Sequence, residues 1–390
     1  MQTPRSTLTR RVLGALDATP SRIPVLLGAS GSGRTTLLHQ LRDRIGRSSS
    51  QYIDVERTAT TPERFFKAIT ASAPFAFVDA PPIGARAAFD ATLSYFGKAR
   101  AGSGEPATFL LDEFLELRTF ESFPGLRRVL YELVDWLSAG TNKVVLTSRY
   151  TARVLRLLRD RPARFEVIHM PALTVEDTLD IMGPVGRLSS EGDAHEAEYI
   201  ARTVQTLADG QPIYVRAIAD ELTAMREQGG ADAMSALVSL MAPEGRLCQA
   251  CGYAYELRLH RARGYGALKA ILEILAEEEG LTLTEISLRL QRTPGSTKDY
   301  LSWLEDVDLV TARQKRYSFT DPLLRLWVRL HCRATAPTEE DLANEIHRYA
   351  LPRLPQAEPA PALAMVTAGT GAATAVAEDE KKPWGIIEID

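Results

Sequence analysis

A glycine-rich stretch near the beginning of the chain carries the residue types that bind phosphate. The apolar run Ile23–Leu27 leads into it, and it matches G-x-x-x-x-G-K-[ST] except that arginine stands in place of lysine. Glycines at this spacing allow positive φ and bring backbone N–H groups onto phosphate oxygens, while the following helix adds its positive N-terminal end. The stretch predicts a nucleotide-binding loop, with these residues: Gly28, Ala29, Ser30, Gly31, Ser32, Gly33, Arg34, Thr35 and Thr36.

The arginine changes what this loop is expected to do. The Arg34 guanidinium stays charged and can hold phosphate through two nitrogens, but it is bulkier than an ammonium group. It cannot occupy the same point between the β- and γ-phosphates without rearrangement. We therefore expect nucleotide binding and leave rapid hydrolysis open. Thr35 is expected to place its hydroxyl on Mg²⁺.

Two adjacent acids end a second apolar run. Phe109–Leu111 is followed directly by Asp112 and Glu113. In enzymes with this kind of loop, the first acid holds Mg²⁺ and the second polarises the attacking water. We assign Asp112, together with Thr35, to the metal and Glu113 to catalysis. The alternative is a strand that simply reaches solvent at this point.

A third apolar run, Val144–Leu146, ends in three polar residues. In doubly wound sheets ligands lie outside the carboxyl ends of the strands, so these residues should face the same crevice as the two acids. Thr147 or Ser148 would orient the attacking water, and Arg149 would pair with a γ-phosphate oxygen. Arg149 has a second interpretation, as a surface cation at the beginning of a helix.

The elements that must position these residues alternate in type. Between residues 23 and 170, apolar runs are each followed by a polar or amphipathic stretch; the runs are IPVLLG, QYIDV, ATFLLDEF, KVVLTSR and FEVIHM. This alternation predicts βαβ units and a parallel sheet with helices on both faces. The fold class is therefore α/β, with a P-loop NTPase domain over residues 1–170.

Strand patterns stop after residue 170. Residues 171–260 read as a small helical domain, in which Thr174 and Asp177 predict a capping box at the first helix. Residues 261–335 then give three amphipathic helices followed by a hairpin, which is the element order of a winged helix.

The remaining part of the chain divides in two. One helix is expected within residues 336–354. Residues 355–390, rich in Ala, Pro and Thr, are expected to be disordered and end in a short aromatic and aliphatic motif. That motif is a candidate docking peptide for a protein partner.

The hairpin turn and the helix before it carry the candidate DNA contacts. Arg313, Lys315 and Arg316 surround the turn and suit phosphate contacts that read no sequence. Lys298 lies on the third helix but is followed by Asp299, so this helix is a weak reader of bases. Binding of duplex DNA and protein or intramolecular contacts both stay open.

Taken together, these motifs resemble the AAA+/STAND-related, archaeal-type ATPases. The resemblance covers residues 8–333 and rests on the glycine loop, LLDE, TSR, the Gly210-Gln-Pro212 segment and the segment Tyr317–Trp327. It implies ATP with Mg²⁺ as the ligand, residues 171–260 as a helical lid, and a nucleotide-driven switch between lid and winged helix. It also implies that Gly210 and Pro212 lie near the nucleotide, although a plain helix-start turn explains them equally well.

The composition of the chain limits which classes of protein and of partner are expected. Of 390 residues, 45% are hydrophobic and 25% charged, and the net charge of −4 provides no global attraction to nucleic acid. Three cysteines are too few for a disulfide framework, which favours a reducing, cytoplasmic setting, and no membrane partner is expected.

Three functions follow as hypotheses. The first is an ATP-hydrolysing switch; the second is a DNA-binding regulator in which ATP is structural; the third is a non-catalytic interaction scaffold. A homo-oligomer is compatible with each of them.

Overall fold

The computed structural model describes residues 5–75, 82–161, 164–183, 191–227, 229, 232–260 and 264–354. The predicted disordered tail, residues 355–390, lies outside these ranges.

A parallel five-stranded sheet forms the N-terminal part of the chain. Its strands lie in the order β2-β3-β4-β1-β5, with β1 and β3 each hydrogen-bonded to a parallel strand on both sides. The apolar runs that predicted strands all form them: β1 Ile23–Leu27, β2 Ser50–Asp54, β3 Thr108–Asp112, β4 Lys143–Ser148 and β5 Phe165–His169. Since β4 separates β1 from β3, the glycine loop and the acid pair end two strands apart at one edge of the sheet.

Helices connect the strands. They are α1 Ser6–Asp17, α2 Arg34–Ile45, α3 Val55–Thr58, α4 Pro62–Ala71, α5 Ala85–Lys98, a 3₁₀ helix Phe114–Ser122, α6 Val129–Ala139 and α7 Thr151–Leu158.

The period-two alternation of each strand divides these helices between the two faces of the sheet. Leu26, Leu110 and Val145 point to one face, where they pack with apolar residues of α1 and α2. Neighbouring residues such as Leu111 and Leu146 point to the other face, against α4 to α7. Both faces of every central strand are therefore buried, as the unbroken apolar runs require. The predicted α/β class with helices on both faces is confirmed.

Within the described residues of 171–260, helices follow the sheet: α8 Val175–Met182, α9 Glu191–Leu207, α10 Pro212–Glu227, α11 Ala233–Met241 and α12 Arg246–His260. The capping box at α8 is confirmed, since the Thr174 hydroxyl accepts the Asp177 N–H and the Asp177 carboxylate accepts the Thr174 N–H. It fixes where the chain turns from β5 into the helical region.

The next part of the chain combines helices with a small antiparallel sheet in the order β6-β8-β7. Its elements are α13 Tyr265–Glu277, β6 Leu281–Thr282, α14 Leu283–Leu290, α15 Pro294–Asp306, β7 Val310–Arg313, β8 Arg316–Phe319, α16 Pro322–His331 and α17 Glu339–Ala350. The predicted order of three helices and a hairpin is present. The two-residue strand β6 was not expected, because it is too short to show an alternating pattern.

Helix α16 belongs to two hydrophobic cores. Leu326 and Leu330 pack with α9 to α11 and α17, whereas Leu324 and Trp327 pack with α12 to α15. The C-terminal elements are therefore joined through one shared helix. None of the helices in the described ranges is long and apolar enough to cross a membrane.

Candidate functional site

The glycine loop lies between the end of β1 and the beginning of α2. Gly31 and Gly33 have φ of 80° and 85°, a region that residues with a Cβ rarely adopt. Helix α2 begins at once with Arg34, so its N–H groups face the inside of the loop. The sequence pattern and the local backbone thus agree on an anion-binding concavity.

Thr35 and Asp112 meet at the centre of the site. The Thr35 hydroxyl donates to Asp112 Oδ2 at 2.6 Å, although the two residues come from different strand–helix connections. The Tyr52 hydroxyl donates to the same oxygen at 3.0 Å, and the Thr147 hydroxyl donates to Oδ1. The predicted metal pair is therefore assembled, and Asp112 is a buried, oriented acceptor.

Tyr52 was missed by the sequence analysis. It lies inside a strand among apolar neighbours, and nothing in its spacing distinguishes it from a core aromatic residue. Burial and the neighbouring Asp112 carboxylate raise the pKa of Tyr52, so it remains a proton donor to that acid.

Glu113 lies between two arginines. Its Oε1 is 2.7 Å from Arg34 Nη2 and 3.3 Å from Arg149 Nε, and its Oε2 accepts the backbone N–H of Arg149 at 3.1 Å. Its φ of 53° is in the left-handed region, and its own N–H is bound to the Thr147 hydroxyl at 3.0 Å. The candidate catalytic acid is buried, ion-paired and strained rather than open to water.

Arg149 is fixed by two acids. Besides Glu113 it pairs with Glu56, which follows β2. Burial disfavours its charge, but the nearby Glu113 and Glu56 carboxylates outweigh burial and raise the pKa of Arg149. Only 15% of its side chain is exposed, so the alternative of a surface cation does not describe its position.

Several polar atoms around the loop are buried with no hydrogen-bond partner in the described part of the chain. They are Arg5 Nε, Ser32 Oγ and, on Arg34, both Nε and Nη1. Buried polar groups are normally paired, and unpaired ones need an explanation such as an absent ligand. Most of these atoms are donors on one side of a glycine loop, which fits the oxygens of a phosphate chain.

A cleft of about 520 Å³ opens beside the loop. On one side lie the loop and the first turns of α2; on the other lie residues of the helical region: Leu173, Ile181, Pro212, Ile213 and Arg216. This volume is in the range of small-molecule sites.

The Gly210–Pro212 segment divides between two environments. Pro212, the first residue of α10, lines the cleft. Gly210 has φ of 61° and packs against Ala172, where an added Cβ would lie 2.7 Å from the alanine Cβ. Its carbonyl accepts the N–H of Leu173 at 2.8 Å. Pro212 is thus placed to contact a ligand, whereas Gly210 forms the turn that brings α10 there.

Arg5 is a second residue that the sequence analysis missed. Its guanidinium donates to the carbonyls of Ser32 and, at 2.6 Å, of Pro171. Its backbone N–H reaches Asp177 Oδ1 at 3.2 Å. A lone arginine before an amphipathic helix gives no signal for this position, which depends on how α1 packs on the sheet.

The candidate DNA contacts lie in the C-terminal part of the chain. Arg313, Lys315 and Arg316 are exposed, and Lys298 is exposed on α15. Gln314 and Lys315 both have positive φ, as a two-residue hairpin turn requires. Arg316 also donates to the Gly280 carbonyl at 2.6 Å, which leaves Arg313 and Lys315 as the less constrained cations.

No group of three or more His, Cys, Asp or Glu side chains among the described residues is arranged to hold a metal ion. The Thr35 and Asp112 pair is smaller than such a group, and it would leave most of the coordination positions of a Mg²⁺ ion to other oxygens.

The fold and the arrangement of loop, acids and arginines define a P-loop NTPase fold. The structure is similar to that of a Walker-type ATPase of Pyrococcus abyssi, with a TM-score of 0.58, 17% sequence identity, and coverage of 83% of this chain and 95% of that one. At this identity the similarity establishes the fold alone.

Two other solved structures match less well. They are the Orc1 protein of Aeropyrum pernix in complex with DNA (TM-score 0.41, 15% identity, 88% of this chain and 92% of that chain) and RuvB of Thermotoga maritima (0.41, 14%, 81% and 92%). These TM-scores are too low to support an argument. No protein-family model matches the sequence, and no curated protein sequence matches it.

Proposed function

We propose that this chain is a nucleotide-dependent ATPase switch that binds ATP and Mg²⁺ in the cleft beside the glycine loop. The observation that carries the proposal is the 2.6 Å contact between the Thr35 hydroxyl and Asp112. It brings a loop hydroxyl and a strand-end carboxylate together beside the unpaired donors of Arg34 and Ser32. Burying unpaired polar groups costs free energy, and apolar side chains would avoid that cost. The cluster therefore supports a polar ligand at this position.

Each residue has a defined part in binding. The N–H groups of the loop and the Arg34 guanidinium hold phosphate oxygens, while Thr35 and Asp112 hold Mg²⁺, which neutralises charge on the phosphates. Tyr52 and Thr147 donate to Asp112 and so keep its carboxylate aimed at the loop. Pro212 and Ile213 close the apolar side of the cleft.

Hydrolysis requires Glu113 to change partners. Arg34 must turn from Glu113 toward phosphate, which leaves Oε1 in contact with Arg149 alone. Oε1 can then accept a proton from the water whose oxygen bonds to the γ-phosphorus as the bond from that phosphorus to the ADP oxygen breaks. Arg149 stays beside Glu113 through the backbone contact at 3.1 Å and orients the carboxylate. Because a strong, buried ion pair must open in every cycle, we expect slow turnover.

The switch would act through α10 and through residues 261–354, which we call the C-terminal unit. Ile213 packs so tightly on the loop that a Cβ on Gly31 would lie 2.5 Å from its Cγ2. A phosphate chain entering the loop therefore changes the contact surface of α10. We assign residues 171–260 to the lid and 261–335 to a winged-helix unit that responds to this movement, with residues 336–354 as a closing helix.

Steady-state ATP turnover by the purified chain with Mg²⁺ tests the proposal, and Glu113→Gln serves as the blank. Turnover above the blank supports an ATPase in which Arg34 replaces lysine. Nucleotide binding without turnover in both proteins would favour a structural role for ATP. Failure of the wild-type chain to bind ATP in calorimetry would refute the proposal.

Duplex DNA is a second candidate ligand, because the hairpin turn presents exposed Arg313 and Lys315. Neutralising Arg313, Lys315 and Arg316 should weaken binding to any duplex and reduce its dependence on salt concentration. Unchanged affinity would exclude the hairpin as the contact. A matched control neutralises three exposed cations of the N-terminal part: Arg47, Lys98 and Arg127.

The scaffold hypothesis concerns the tail beyond residue 354 and stays a prediction, since that segment lies outside the described ranges.

A further inference from the structure

The segment 306–308, between α15 and β7, forms a sharp bend that we call the elbow. Asp306 ends α15, Val307 is 1% exposed, and Asp308 has φ of 58°. Aspartate is among the few residues that tolerate this left-handed conformation. The elbow directs the chain from α15 into the hairpin, so its position determines where the hairpin lies.

Ion pairs fasten the outer side of the elbow to the N-terminal part of the chain. Asp306 pairs with Arg156 and lies 3.8 Å from Arg153 Nε, both on α7. Helix α7 begins at Thr151, two residues after Arg149. The elbow is therefore attached to the helix that directly follows the candidate catalytic arginine.

The inner side of the elbow carries a buried acid. Asp308 is 7% exposed, and its Oδ2 has no hydrogen-bond partner in the part of the chain that the structure describes. Its backbone carbonyl accepts Arg258 Nη1 at 2.9 Å, which holds the bend in place. An unpaired carboxylate oxygen at this depth is costly unless nearby charges compensate it.

The elbow is linked to the nucleotide site through Arg258, which holds the Asp308 carbonyl and lines one cavity together with Ser30 of the loop and Arg149. The cations of Arg258 and Arg34 stabilise its carboxylate, while Asp321 and Glu113 oppose it. The loop arginine and the candidate catalytic acid therefore both act electrostatically on a residue of the C-terminal unit. Whatever neutralises Arg34 also removes part of the compensation for Asp308.

We propose that Asp308 couples ATP binding to the docking of the elbow on α7. The inference rests on the proposed function. When phosphate binds, Arg34 turns toward it, and the Arg34 charge then compensates the buried, unpaired carboxylate of Asp308 less well. Docking of the elbow then loses stability, and the C-terminal unit is released.

The coupling must act in both directions. If ATP weakens docking by a given factor, docking weakens ATP binding by the same factor. Asp308→Asn removes the charge and keeps the shape, and asparagine accepts the left-handed conformation as aspartate does. The variant should therefore bind ATP more tightly and keep its elbow docked.

The experiment is run at pH 8, where Asp308 is ionised, and measures two quantities on the full chain. They are ATP affinity by calorimetry and hydrogen exchange of peptides spanning the elbow and α7, each with and without Mg²⁺-ATP. In the wild type, ATP should accelerate exchange in the elbow by about tenfold. In Asp308→Asn the acceleration should disappear and the affinity should rise by about tenfold. Asp308→Gly, which also accepts this φ, provides a second variant.

Asp306→Asn is the matched control. It weakens the outer ion pairs and raises exchange with and without ATP, but it retains the Asp308 charge and should keep the ATP response. The inference is overturned if Asp308→Asn and Asp308→Gly retain the ATP-induced acceleration or bind ATP no more tightly. A wild-type chain that binds ATP without any exchange response overturns this inference alone, whereas absence of ATP binding overturns the proposed function as well.

Discussion

At the scale of single residues, the arginine in the glycine loop links two parts of the site. Arg34 places Nη2 on Glu113 at 2.7 Å and leaves Nε and Nη1 without partners among the described residues. A planar guanidinium carries five N–H donors, so Arg34 can pair with Glu113 before phosphate binds and turn its donors to phosphate afterwards. The substitution thus connects the phosphate loop with the candidate base.

The metal pair gives the first prediction. Thr35→Ala removes one of the two side chains assigned to Mg²⁺ and leaves Asp112 with its Tyr52 and Thr147 donors. We expect the gain in ATP affinity that Mg²⁺ provides to fall by about 10- to 100-fold. Calorimetry with and without Mg²⁺ measures this difference, and binding without the metal is the internal control. An unchanged metal effect would remove Thr35 from the site.

The buried acid of the elbow gives the second prediction. Burial raises the pKa of Asp308 to about 7, helped by Asp321 and Glu113 and opposed by Arg258 and Arg34. The unfolded chain has a pKa near 3.9 for this group, so the folded chain holds a proton between about pH 4 and pH 7 that the unfolded chain has released. The contribution of Asp308 to stability is therefore present below this window and lost as the pH rises through it.

Asp308→Asn should remove this dependence. Relative to the wild type, the variant should gain about 1–3 kcal/mol of unfolding free energy between pH 5 and pH 8. Denaturant unfolding at the two pH values measures the gain. Equal differences at both pH values would show that Asp308 keeps an ordinary pKa.

At the scale of elements, helix α10 and the glycine loop fit against each other. Gly31→Ala meets two obstacles: a φ of +80° and an Ile213 Cγ2 at 2.5 Å from the new Cβ. Gly104→Ala, with φ of +83° and nothing within 4 Å, is a control for the backbone cost alone. That cost is about 1–2 kcal/mol.

The third prediction follows from this pair. Gly31→Ala should lose about 1–3 kcal/mol more unfolding free energy than Gly104→Ala, because the loop and α10 must separate. Combining it with Ile213→Ala should recover part of the excess, and thermal unfolding of the variants checks both statements. Equal losses at the two glycines would mean that α10 does not press on the loop.

At the scale of the whole molecule, helix α16 joins two cores. Leu330 is fully buried among α9 to α11 and α17, while Trp327, one turn earlier, packs with α12 to α15. A helix with two buried faces transmits the loss of one core to the other. The C-terminal half should therefore unfold cooperatively.

The fourth prediction tests this cooperativity. Leu330→Ala should cost about 2–5 kcal/mol and lower a single transition for residues 171–354 rather than split it. Leu351→Ala, at a leucine that is 58% exposed, should change stability by less than about 0.5 kcal/mol. Hydrogen exchange of both cores follows the two responses, and a melting of the first core without the second would contradict the shared helix.

How much of the fold the sequence could predict depends on the range of the interactions. The five strands and the capping box at Thr174 follow from residues close together in the chain, so the pattern was sufficient. Strand β6 could not be found, since two residues form it only because Tyr317 lies opposite Leu281. Arg5 at the loop was missed for the same reason.

The sequence by itself determined the elements and the types of residue at their ends. Periodicity places apolar residues on faces, and a glycine loop or an acid pair is a local signal that needs no knowledge of distant parts. Only the tertiary structure decided the partners: Glu113 with Arg34, Tyr52 with Asp112, and Asp308 with Arg258. Those contacts join residues far apart in the chain, and packing of the helices and strands, not local pattern, determines which charges share a buried space.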